Sequence, residues 1–196
     1  KYGMGNSFNN IGIIHGTKGD TDKALDYYGR SFVIAEEIGD KHGMGQSRSN
    51  IGIVYSDKGD YDRALNCYFK AVVIFEELGD RHCLGNSLGN IGVEYNAKGD
   101  YDKSLDYYGR SLAIFEKIGE KSGMASSIHN IGVVYRNKGE DDKALDCFGR
   151  ALAIEEELSD KYGMGSSLNS IGILHSNKGD YEKAQEYLEK SFDIQR

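Results

Sequence analysis

Side chains able to do chemistry recur in this sequence at one fixed interval. Asparagine precedes Ile-Gly at Asn10, Asn50, Asn90 and Asn130, and Ser170 stands in the fifth such place. A carboxamide both donates and accepts hydrogen bonds, so an Asn repeated at constant spacing can hold the peptide groups of an extended ligand. Each such bond contributes about 0.5–1.5 kcal/mol net, and several of them with apolar contacts reach micromolar affinity, about −8 kcal/mol. The same Asn can instead bond a neighbouring helix and set repeat geometry. The pattern is compatible with both uses.

The remaining reactive types do not assemble a catalytic set. His15 and His175 replace the Tyr of other copies and are expected to pack. His42 and His82 fall at helix starts and are expected to be solvated. No His pair has i, i+4 spacing with a carboxylate helper, so neither a metal site nor a cofactor is expected. Cys67, Cys83 and Cys147 are odd in number and lack metal-ligand spacing, which argues against a disulfide framework and for a reducing cytoplasm. Cys67 and Cys147 share one position two copies apart, too distant for a bridge, and read as small buried hydrophobes. There is no Gly-Lys-Ser/Thr phosphate loop, and the Lys-Gly-Asp turns are explained by capping; an enzyme is not expected. Glu36-Glu37 and Glu76-Glu77 read as solvated pairs. Glu94 conflicts with its equivalents Ile14, Val54, Val134 and Leu174. Its carboxylate either snorkels to water or a Lys, or is a buried polar contact with a raised pKa.

The elements that position these residues follow from the period. Asn-Ile-Gly, or Ser170-Ile-Gly, returns every 40 residues, giving nearly five copies, roughly 1–40, 41–80, 81–120, 121–160 and 161–196. In the second copy Met44, Ile51, Val54 and Tyr55 form one stripe on a helix A of roughly His42 to Lys58. Gly59 suits a left-handed stop and Asp60 an N-cap. Helix B then runs roughly from Tyr61 to Leu78, with Ala64, Leu65, Tyr68, Ala71, Val72 and Phe75 inward. Ten helices with very short turns leave no room for strands. One such pair cannot bury its apolar face alone, so neighbours must stack. Gly12, Gly52, Gly92, Gly132 and Gly172 sit inside helix A, where each costs about 1 kcal/mol against Ala. They are expected to mark backbone approach to Ala24, Ala64, Ser104, Ala144 and Ala184 on helix B.

Over its whole length the sequence resembles the tetratricopeptide repeat family. Leu88, Ile91-Gly92 and Tyr95 match the family pattern in helix A, and Ala64, Tyr68 and Ala71 match it in helix B. The usual unit has 34 residues and often ends in Pro; here it has 40, and the chain holds no Pro. The longer unit is similar to Pins-type spindle-orientation adaptors, kinesin light chain and bacterial signalling arrays. The resemblance implies an all-α, right-handed α-solenoid superhelix of five helix-turn-helix units, forming one array over residues 1–196. It further implies a concave groove lined by the A helices in which a protein or peptide partner lies. Carried over by position, that groove holds Asn10, Asn50, Asn90 and Asn130, with Asn6, Asn9, Gln46, Ser49, Asn86, Asn96, His129, Arg136 and Asn169 around them. Ser56, Asp57, Ser126, Asn137, Ser166 and Asn177 lie in the same set. Ile13, Ile53, Val93, Val133 and Ile173 add an apolar strip. Lys and Arg that would clamp a chaperone-tail carboxylate are missing, Arg136 being the one peripheral base. The second Asn typical of the adaptor arrays is replaced by Ile or Val.

Composition bounds the partners. A net charge of −7 argues against nucleic acid, which requires clustered Lys and Arg. No apolar run approaches a membrane span, and 14 Tyr with 7 Phe exceed what an acidic disordered segment carries. Two functions fit: a scaffold holding a partner peptide or helix, or the sensor part of a multidomain signalling protein. The opening Lys1-Tyr2 suggests a fragment of a longer chain. Uncovered Tyr187, Leu188 and Phe192 on the last helix suggest end-to-end self-association, because arrays normally end in a polar cap.

Overall fold

The computed structural model describes residues 2–196. Among them are ten α-helices and no strand: α1 (Tyr2–Thr17), α2 (Thr21–Ile38), α3 (Lys41–Asp57), α4 (Tyr61–Leu78), α5 (Arg81–Ala97), α6 (Tyr101–Ile118), α7 (Lys121–Asn137), α8 (Asp141–Leu158), α9 (Lys161–Asn177) and α10 (Tyr181–Gln195). Links of two or three residues separate them, as the Gly-Asp punctuation predicts. Gly59 has φ +73°, and the N–H of Asp60 returns to Tyr55 O at 2.9 Å, closing the helix end. The Asp60 carboxylate accepts the N–H of Arg63, and Asp40, Asp80, Asp100 and Asp160 cap their helices in the same way. Among the described residues Ser159 (φ 54°) is the non-glycine residue with positive φ, in the place of Gly39, Gly79 and Gly119.

The chain divides into two compact units between Gly99 and Asp100. In the first, α1 to α5 pack each on the next, and Ala24, Tyr28 and Val54 form a buried cluster with Leu25 and Ile51. Along α4, Ala64, Leu65, Tyr68, Ala71, Val72 and Phe75 are all buried, the stripe expected from the sequence. Burying one such large side chain contributes about 1.5–3 kcal/mol. Buried serines tie helices across this packing: Ser31 Oγ donates to Gly5 O at 3.0 Å, and Ser47 Oγ to Ser31 Oγ at 3.1 Å.

In the second unit Ala144, Phe148, Ile171 and Leu174 form one core, and Ile128, Cys147 and Ala151 another. Ser191 Oγ on α10 donates to Gly165 O at 2.8 Å, the counterpart of the Ser31 bond.

The helix A glycines make room chiefly for side chains, and backbone approach is found at Gly172, where an added Cβ would lie 3.3 Å from Ala184 O. A Cβ at Gly12 would stand 2.6 Å from the Tyr28 ring, and one at Gly52 2.6 Å from the Tyr68 ring. At Gly132 it would meet Phe148 at 2.8 Å, and at Gly172 Leu188 at 2.8 Å. Each glycine admits a large helix B side chain that a methyl group would displace.

Candidate functional site

In the first unit, a pocket of about 280 Å³ lies on the A helices. Seven residues expected in the groove line it together: Asn9 and Ile13 from α1, Gln46, Ser49 and Asn50 from α3, and Asn86 and Asn90 from α5. Phe75, Cys83 and Ser87 complete the wall. The pocket is half polar because successive A helices present a carboxamide at every step, while Phe75 closes its floor from helix α4.

Hydrogen bonding separates the two uses of asparagine at one site. Asn50 Nδ2 donates to Asn9 Oδ1 at 2.8 Å, so this pair braces α3 against α1. Asn10 and Asn6 are exposed on α1, and Asn90 is half-buried. The Ser49 hydroxyl is buried without a hydrogen-bond partner, and Ser49 lines the pocket. Ile13, Ile53 and Val93 are exposed at 44%, 45% and 42%, in keeping with an accessible apolar strip. Asn96 is half-buried.

In the second unit the expected residues are more deeply involved in packing. Val133 lies against the core of Phe148, Ile171 and Leu174, and Tyr187 packs there as well instead of standing uncovered. His129 sits 5.0 Å from the Phe148 ring, and its Nδ1 is 3.1 Å from Ser167 Oγ. Burial, helped by the charge of Arg136, lowers its pKa. Asn130 and Arg136 are half-buried, whereas Asn169 and Ile173 are exposed.

Glu94 does not snorkel. It is 1% exposed, and Oε2 has no partner. Burial raises its pKa, against a hydrogen bond from Ser56 that works to lower it. A second buried carboxylate, Glu155, escaped sequence reasoning. It is 4% exposed, also with an orphan Oε2, and burial raises its pKa against a bond from Ser167. The signal was available, since Glu155 occupies the place of Ala35, Phe75 and Phe115.

The string Gly85-Asn86-Ser87-Leu88-Gly89 has the Gly-x-Ser-x-Gly form of a hydrolase elbow, but it lies inside α5. Ser87 is 2% exposed, and its hydroxyl donates to Cys83 O at 2.8 Å, so it carries no nucleophile to a surface. His15 and His175 pack as expected, stacked on Tyr27 and Tyr187. Cys67 and Cys147 are buried free thiols. No described helix is long and apolar enough to cross a membrane.

Repeated helix pairs joined by short turns, the first helix of each carrying carboxamides, define a helical repeat protein. The chain belongs to the tetratricopeptide repeat family, whose model matches residues 3–77, 47–117 and 123–196. Among solved structures it is similar to BtubC (BKLC) from P. vanneervenii, at 22% identity and TM-score 0.84, over 97% of this chain and 79% of that one. It is also similar to a putative kinesin light chain of Podosopora anserina with nearly identical repeats, at 18% identity and TM-score 0.74, over 97% and 94%. A Rap protein complexed with Competence and Sporulation Factor matches at 18% identity and TM-score 0.84, over 95% of this chain and 52% of that one. These likenesses establish the fold. No curated protein matches the sequence significantly.

Proposed function

We propose that this chain is a protein-interaction scaffold that takes an extended or helical segment of a partner on its A helices. The observation that carries the reading is the pocket in which Asn9, Gln46, Asn50, Asn86 and Asn90 converge beside Ile13 and the orphan hydroxyl of Ser49. Carboxamides at constant spacing match the repeat of a peptide backbone, and the aliphatic strip supplies apolar contact. The Rap structure supports ligand uptake by this fold, because it was solved as a complex.

Replacement of Asn50, Asn90 and Asn130 by Ala tests the reading. Partner affinity should fall at least about tenfold, as expected from losing one to three net hydrogen bonds. Unchanged affinity with an intact helical spectrum removes the groove. Asn50→Ala alone should also loosen α1 against α3, which the single Asn90→Ala variant does not.

A second reading, a regulatory array within a longer signalling protein, draws support from the Rap comparison, where the match spans 52% of the other chain. An effector domain in the full-length sequence decides for it.

A further inference from the structure

Three metal-ligating side chains meet in the first unit, where His42 reaches Asp80 and Cys83, the latter 41 residues further along the chain. His42 Nε2 lies 3.2 Å from Asp80 Oδ2, and Cys83 Sγ lies 3.9 Å from His42 Nε2. One ligand atom from each of the three falls within 4.8 Å of the others. A tetrahedral Zn²⁺ with bonds of about 2.0–2.3 Å sets its ligand atoms about 3.3–3.8 Å apart, so small side-chain shifts suffice to close the site. We propose that His42, Asp80 and Cys83 form a binding site for a thiophilic divalent cation of the Zn²⁺ class, with the fourth position left to water.

The local structure is arranged for this. Asp80 is the N-cap of α5, and its Oδ1 accepts the Cys83 N–H at 2.9 Å, which fixes the carboxylate and leaves Oδ2 toward His42. In two sister copies the third residue of the capped helix lies directly against the capping carboxylate. At Gly43 and Gly163 an added Cβ would lie 2.6 Å and 2.7 Å from Asp40 Oδ2 and Asp160 Oδ2. The other four copies hold glycine at this place, Gly3, Gly43, Gly123 and Gly163; only the third carries a side chain, and it is a thiol. The His42 ring, edge-on to Phe75 at 5.9 Å, is supplied from the start of the preceding A helix, α3. Asp80 and Cys83 are half-buried and His42 is exposed, so a cation reaches the site from solvent.

Without a cation the thiol is inert: burial and the Asp80 carboxylate push its pKa up to about 12. Burial also works to raise Asp80, but the Cys83 amide and thiol with His42 and His82 outweigh it and hold the acid low. A bound cation reverses the logic at sulfur. The metal–sulfur bond forms as the thiol proton leaves to water, while Asp80 and neutral imidazole donate lone pairs. The pairing is also a cross-brace, since it ties the start of α3 to the start of α5.

Co²⁺ titration of the purified protein, followed by Zn²⁺ competition, tests the site. A thiolate-to-cobalt charge-transfer band should rise to saturation at one equivalent and disappear when Zn²⁺ is added. Cys83→Gly should abolish the band, and His42→Tyr should weaken binding at least about tenfold. Both variants install residues that sister copies already carry, Gly43 and Tyr162, so the fold is kept. Zn²⁺ should also raise the unfolding midpoint of the parent protein and leave that of Cys83→Gly unmoved. A band that is absent from the parent, persists in Cys83→Gly or is indifferent to His42→Tyr overturns the proposal. Cys67 and Cys147 remain in every variant as the control for unspecific thiol binding. The readout involves no peptide, so its failure leaves the groove reading untouched.

Discussion

At the position of Glu94 other copies carry Val54, Val134 and Leu174, each buried, and the carboxylate is forced into the same apolar slot with one oxygen unpaired. An unsatisfied buried polar group costs about 1–3 kcal/mol. Glu94→Val should therefore raise the unfolding midpoint by several degrees, measured by thermal denaturation; no change rejects the interior role. The pH dependence has a definite sign. Folding raises the pKa above its ordinary 4.5, so the folded state binds this proton more tightly. The contribution of Glu94 to stability is most favourable below 4.5 and is lost as pH climbs from there through the folded value. The gain of Glu94→Val over the parent should accordingly widen with pH across that window and then level off.

For the helices, glycine is written into α1, α3, α7 and α9 against intrinsic propensity because a helix B side chain occupies the space. Gly52→Ala should destabilise by about 1–3 kcal/mol, since its methyl group meets the Tyr68 ring. Gly109→Ala on α6 has open space within 4 Å and should stabilise by up to about 1 kcal/mol. Denaturant midpoints of the two variants check both signs at once. Equal effects would mean that propensity alone, and not the ring, explains the pattern. Ser159 departs from the pattern in the other direction, holding a left-handed φ that Gly39, Gly79 and Gly119 adopt without strain.

On the scale of the molecule, repeat is joined to repeat by a spacing of 36 residues that capping alone does not explain. Lys58–Asp22 and Lys98–Asp62 pair in the first unit, and Lys138–Asp102 and Lys178–Asp142 in the second. These exposed pairs serve register more than stability. Helix α10 leaves Tyr181 71%, Leu188 37% and Phe192 66% exposed around a pocket of about 600 Å³ that also includes Ala184. We expect this face to drive self-association of the chain at high concentration, suppressed by Phe192→Ser; light scattering that shows a strict monomer at millimolar protein removes the idea.

The sequence by itself determined the helices, their limits and the buried stripes, because those depend on residues within one turn or one pair: the Asn-Ile-Gly period, the Gly-Asp stops and the 3.6-residue spacing of α4 all read locally. It also brought seven lining residues of the pocket into view. The tertiary structure alone decided that Asn50 spends its amide on Asn9, that Glu94 and Glu155 are buried, and that His42 meets Asp80 and Cys83. Those contacts join residues of different helices, in the widest cases 41 apart. Whether two such side chains touch depends on the distance and angle at which successive helices stack, and a pattern along any single helix does not encode either.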